Sequence, residues 1–169
     1  ATEENTQRWK RDQITEGIHQ PFYRLALVDQ AVHVANAAVI RKDKIDWQAF
    51  RAAGEAGMGR HWDLYLRYLV CKDGYGAHYV PKRLTRYRVH SEGVTALTGR
   101  KSIKAKILSA QSWIVIYEQC LANTSLRELK PFLRRRLAFA HATLGIAQLR
   151  AREHPKARSN LVQALKQDW

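Results

Sequence analysis

Apolar positions change their spacing near residue 100 of this chain. Before that point they come in short runs broken by glycine, proline and charge. From Ser102 onward they recur at helical intervals almost to the end. Residues 1–20 are polar and interrupted by Gly17, which predicts irregular to weakly helical backbone. FYRLALVDQ, after Pro21, fits either strand or helix. Ala31–Ile40, AVHVANAAVI, is rich in small and β-branched residues and predicts a buried strand, ended by the charged turn RKDKID. Trp47–Ala53 predicts a helical turn before a connector containing Gly54, Gly57 and Gly59. Trp62–Lys72 predicts a helix burying Trp62, Leu66 and Leu69 or Val70, stopped by Asp73–Gly74. Two strands, Ala77–Val80 and Leu84–His90, precede a loop over Ser91–Lys101.

The second part predicts three helices. Ile103–Leu121 repeats Ile107, Ala110, Ile114, Tyr117 and Leu121, and Asn123–Ser125 breaks and recaps it. Leu126–Ala151 follows, with a bend predicted at Pro131. His154–Pro155 starts a third helix running to Lys166. Leu144, Gly145, Ala157, Leu161 and Ala164 alternate small and large residues in a way that resembles a tetratricopeptide helix hairpin over residues 138–166. One such unit implies a capping hairpin rather than a peptide-binding array. The predicted fold class is α+β and mainly helical: short strands in residues 1–100, a helical tail in 101–169.

Charge sharpens this division. The net charge of +14 is concentrated beyond residue 81. Residues 1–81 carry 11 Lys/Arg against 10 Asp/Glu; residues 82–169 carry 18 against 5. A stretch this basic calls for an acidic partner (diphosphate, anionic membrane surface or nucleic acid), or else is a solvated surface. No apolar run approaches the roughly 18 residues that span a bilayer. Two cysteines, Cys71 and Cys120, without metal-ligand spacing point to a reducing, cytoplasmic setting. The chain starts at Ala1 without Met, as expected of a processed chain or a piece of a longer one.

Candidate chemistry gathers between His61 and Thr95. On a strand over Leu84–His90, alternation places Arg86, Arg88 and His90 on one face. Two guanidiniums and an imidazole together suit a diphosphate. WDLYLR, followed about 20 residues later by YVPKRLTRYRVHSEGVT, resembles the C-terminal half of a family 2 glycosyltransferase. There Pro81, Leu84, Tyr87, Arg88 and His90 take the positions of a Y-V-P-x-x-L-x-x-Y-R-x-H strand. The resemblance covers roughly residues 34–95. It implies the acceptor-side half of a GT-A domain followed by a helical tail. It also implies a nucleotide-sugar donor, a glycan or lipid-linked acceptor, and a place in bacterial cell-surface glycan synthesis at the inner face of a membrane.

By that resemblance, His90 contacts the donor diphosphate and its divalent metal, Mn or Mg. Arg88 and Arg86 reach the same charge, and Asp63 is an acceptor-site carboxylate. Asp63 has a second account, as a helix-start carboxylate with Arg67 at i+4. Where the family carries an acidic pair, this chain has Arg60 and His61, so its usual general base is missing. His61 is one candidate replacement, because a neutral imidazole accepts a proton near pH 7. Loop and packing roles or an inactive site stand beside it, Asp63 serves instead if the register shifts locally, and the base is unassigned. Trp62 is the candidate sugar-stacking residue among Trp9, Trp47, Trp62, Trp113 and Trp169, most of which core packing explains equally well.

The glycines at 54, 57 and 59 lack the Walker ending and the G-x-G-x-x-G spacing and read as a connector. The family's nucleotide-binding half and its D-x-D metal motif have no counterpart in this sequence. Asp43 and Asp46 are separated by two residues, on a basic turn. No metal is therefore expected on this chain alone. The alternative function is a non-catalytic basic helical module for nucleic acid or an acidic protein, supported by Arg134, Arg135 and Arg136. These three fan around a helix rather than forming one groove-reading face.

Overall fold

The computed structural model describes residues 14–29, 38–82 and 102–168, and side chains up to residue 167. These residues are mainly helical, with one small antiparallel sheet. They fall into two compact units. One is drawn from Ala1–Phe50 and Asp63–Arg88, the other from Arg51–Trp62 and Val89–Trp169.

In the first unit, β1 (Gly17–His19) pairs antiparallel with β2 (Ala77–Tyr79), with Gly17 opposite Tyr79 and His19 opposite Ala77. The N-terminal partner corrects the irregular-to-helical expectation for residues 17–19. Three residues are too few for a period-2 signal, and the pairing depends on a partner about 60 residues away. Gly76 makes the approach possible, since a Cβ there would lie 3.2 Å from both the Gln20 Cβ and the His19 carbonyl oxygen. Residues Arg24–Val28 form a π-helical turn that buries Ala26 and Leu27, resolving the strand-or-helix ambiguity after Pro21. Of the predicted strand at 31–40, residues 31–37 lie outside the described residues. Residues 38–40 have no regular structure, and Val39 is fully exposed.

Helix α1 (Trp47–Glu55) starts where the Asp46 carboxylate accepts the Ala49 N–H at 2.8 Å. It runs further than predicted and includes Gly54. Helix α2 (Trp62–Cys71) ends as predicted. Gly74 adopts φ +75 and its N–H bonds to the Cys71 carbonyl. The buried face was misread. Leu64, Tyr65, Arg67, Tyr68, Leu69 and Cys71 are buried, whereas Trp62 is 43% exposed. The aromatics win the interior: Tyr65 lies 5.4 Å from Tyr68 and 6.3 Å from Phe50, and a long apolar body with a polar tip buries more area than Leu66.

The second unit is built on α3 (Ile103–Ala122), α4 (Lys130–Arg150) and α5 (His154–Asp168), packed in sequence order. The Ser102 hydroxyl accepts the Ala105 N–H to cap α3. Asn123 then closes it and caps a 3-10 stretch, Thr124–Leu129, through the Ser125 N–H at 2.8 Å. The predicted single helix from Leu126 is thus two pieces. Leu126 has non-helical backbone, and Pro131 sits in the first turn of α4, where its missing N–H costs nothing, instead of bending a helix interior. Residues 151–153 turn the chain, with Arg152 at φ 62.

Helices α4 and α5 then pack as the hairpin that the small-residue pattern predicts. Ala157 and Leu144 are buried, and Gly145 faces Leu161. A polar bridge fixes their register. His141 Nδ1 and Asn160 Oδ1 lie 2.9 Å apart, and the Asn160 amide donates to Gln148 Oε1 at 2.9 Å and the Lys156 carbonyl at 3.1 Å.

Candidate functional site

His61 closes a 3-10 turn, Gly59–His61, that leads into α2. Its place is set by one face of α3, where Ser109, Ser112 and Trp113 stand at i, i+3 and i+4. The buried Ser112 hydroxyl donates to the Met58 carbonyl and accepts the His61 backbone N–H at 3.2 Å, tying the turn to the helix. The imidazole lies over the Trp113 indole, with centroids 4.9 Å apart and planes 21° from parallel. Its Nε2 lies 2.6 Å from the Ser109 oxygen. Trp113 in turn touches Phe139 of α4, centroid to centroid 6.4 Å.

The imidazole and the hydroxyl are within hydrogen-bond distance, and which of them donates depends on the imidazole tautomer. A base working through Nε2 either releases Ser109 or passes the proton through it. Ser109 and Ser112 were missed from sequence. Their only signal is the serine pair at i and i+3 in the middle of α3.

Asp63 makes a separate set of contacts. Its Oδ2 accepts from Arg67 Nη2 at 2.8 Å, one turn along α2. The Arg67 side chain is 6% exposed, and its Nε and Nη1 have no hydrogen-bond partner among the described residues. The helix-start account of Asp63 therefore describes its geometry, and the carboxylate is the main compensation for a buried guanidinium. Trp62 is partly exposed. Arg86, Arg88 and His90, with the whole predicted strand Leu84–His90, lie outside the described residues.

The remaining polar groups have local roles. A fork from Arg41, at 2.9 and 3.3 Å, holds the Asp43 carboxyl below its usual range against weak desolvation, while Asp46 caps α1. Neither is arranged as a metal ligand. Among the described residues no group of three or more His, Cys, Asp or Glu is disposed to hold a metal ion, and His90, the candidate ligand, lies outside them. Burial pushes the Cys71 thiol up to about 12, and its Sγ lies 3.5 Å from the Tyr68 carbonyl. It is a core group rather than a nucleophile. Among the described residues no helix is long and apolar enough to cross a membrane. Compared with known proteins, the chain matches no family model, no curated protein and no solved structure.

Proposed function

We propose that this chain is the acceptor-side portion of a glycosyltransferase, with its donor-binding half encoded outside these 169 residues. The observation that carries the reading is the ordered pair of motifs, WDLYLR and YVPKRLTRYRVH, at family 2 spacing. The form of α2 supports it. Asp63 stands in the first turn, partly exposed, and Arg67 holds it in place. In this reading Arg86, Arg88 and His90 neutralise the departing diphosphate. Trp62 stacks on a sugar face. His61 is the proton acceptor, with Ser109 as its partner. Asp63 orients the acceptor hydroxyl, with Arg67 holding the carboxylate in place. The acceptor is a glycan or lipid-linked phosphate-bearing molecule, matched to the basic second half of the chain.

A thermal-shift screen tests this. The chain, extended by the coding sequence upstream of Ala1, is melted with a panel of nucleotide sugars and Mn²⁺. One donor raises Tm, and the increase is lost in Arg88→Ala and His90→Ala. A flat response to every donor overturns the proposal.

A second reading has its own observation. Helix α4 carries Lys130, Arg134, Arg135, Arg136 and Arg150 and no acidic residue. That favours a non-catalytic basic module, whose binding to a polyanion would weaken steeply with salt.

A further inference from the structure

Helix α4 turns its buried side, from Leu133 through Leu137, Ala140 and Leu144 to Gln148, toward its neighbours. Its opposite side is not a plain solvated face. Phe132, Phe139 and Ile146 follow one another every seven residues along it, a ridge about 21 Å long at 1.5 Å per residue. Phe139 is 59% exposed, its ring also meeting Trp113 of α3, and Ile146 is 48% exposed. Arginines border the ridge. Arg135 and Arg150 are exposed, and the Arg136 guanidinium lies 5.2 Å from the centroid of the Phe132 ring. No described carboxylate pairs with any of these three arginines, and α4 itself contains none.

We infer that this outer face of α4 is a docking surface for an anionic lipid bilayer. Phe139 and Ile146 enter the boundary between headgroups and acyl chains, and Arg135, Arg136 and Arg150 meet lipid phosphates and carboxylates. Charge complementarity selects an acidic partner, and shape selects the bilayer among acidic partners. The apolar groups form a convex ridge, which offers a partner helix no groove. Nucleic acid would leave the exposed phenyl and sec-butyl surface of Phe139 and Ile146 in water. A soft headgroup layer accepts a ridge and lets the long arginine stems lie along it. The surface lies along the bilayer rather than through it.

The inference stands independently of the glycosyl-transfer reading, because lipid binding is read without any donor. It also accounts for a lipid-linked acceptor should that reading hold. The 169-residue chain is sedimented with phosphatidylcholine vesicles, with and without roughly one-third phosphatidylserine, at two salt concentrations. Binding is expected to the anionic vesicles only and to weaken with salt. Arg135→Gln lowers the partition coefficient about fivefold, the loss expected for one basic side chain at an anionic surface. Phe139→Ser and Ile146→Ser together abolish most of it. Arg158→Gln, which removes an equal exposed charge from α5, lowers it by less than twofold. Circular dichroism verifies each variant's fold, and Arg135→Gln alone carries the comparison with Arg158→Gln if a serine variant does not fold.

Failure of the chain to bind anionic vesicles overturns the inference. Equal losses in Arg135→Gln and Arg158→Gln, or undiminished binding by folded serine variants, do so too. Binding to duplex DNA with no binding to vesicles assigns the face to nucleic acid instead.

Discussion

Gly145 of α4 lies against Leu161 of α5 so closely that a Cβ on the glycine would meet the leucine Cγ at 2.8 Å and Cδ2 at 2.9 Å. The Ala157 carbonyl oxygen, at 3.2 Å from the same point, blocks retreat on the other side. Two opposing effects decide what Gly145→Ala does. Alanine gains about 1 kcal/mol of helix propensity, whereas overpacking a close helix contact costs about 1–3 kcal/mol. The crowded atom is Cγ, near the root of the leucine side chain, so steric cost wins.

Gly145→Ala is therefore expected to lower Tm by up to about 8 °C, as a net loss of up to about 2 kcal/mol would in a chain of this size. In the Leu161→Ala background the same change should become neutral or stabilising, because the crowding atoms are gone while the propensity gain remains. Thermal melts of the four chains in this cycle measure it directly.

The Asp63–Arg67 pair gives a prediction with two signs. Asp63→Ala leaves a guanidinium buried with all its donors uncompensated, at a cost of about 2–3 kcal/mol after allowing for the aspartate's partial exposure. Arg67→Met removes the buried charge and two donors that have no partner among the described residues, fills similar volume, and leaves a carboxylate that water can reach. It should cost under about 1 kcal/mol or stabilise. Urea titrations of both variants check the order. Arg67→Met being the more damaging would show that the pair's worth lies in the guanidinium's packing.

Cys71 makes stability fall at high pH. Its thiol is held protonated up to about 12 in the folded chain, against an ordinary value of 9.0, because burial penalises the thiolate. Between these limits the unfolded chain has released the proton and the folded chain has kept it. Unfolding then releases a proton, and stability drops as pH rises, by at most about 1.4 kcal/mol per unit. Cys71→Ala should flatten the decline between pH 9 and pH 12 relative to wild type, measured as the difference between two sets of denaturant curves. Below pH 9 the two slopes should agree. Curves that stay parallel throughout would show that Cys71 does not titrate this way.

Local patterns with strong chemistry were legible in the sequence. The Gly74 stop of α2 and the Asn123 break each depend on residues within a turn or two of one another, the small-residue hairpin on two helices consecutive in the chain, and each is present. The strand pairing of Gly17–His19 was not legible. Nothing in three residues announces a partner so distant in sequence. The face of α2 was misread because periodicity ranks Trp62 and Leu66 as core-facing, while the interior is taken by Tyr65 and Tyr68, whose hydroxyls weaken their hydrophobic signal. Pro131 was read as a kink because the preceding break at Leu126 is invisible to propensity.

At the candidate site, sequence located His61 and Asp63. It did not reveal that the first is held by Ser109, Ser112 and Trp113, more than 45 residues on, nor that the second compensates a buried arginine. Those contacts are tertiary, and no spacing rule carries them. The arginine–imidazole ladder at Arg86, Arg88 and His90 rests on alternation and family resemblance.

That ladder is also where the functional account is most exposed. The decisive measurement is release of nucleoside diphosphate from a panel of nucleotide sugars, with Mn²⁺, by the chain extended through its upstream coding sequence. The account predicts release with one donor, reduced at least tenfold in Arg88→Ala and in His90→Ala while circular dichroism is unchanged, the scale expected for losing a group that stabilises departing charge. Release that is absent with every donor, or undiminished in both variants, would contradict it.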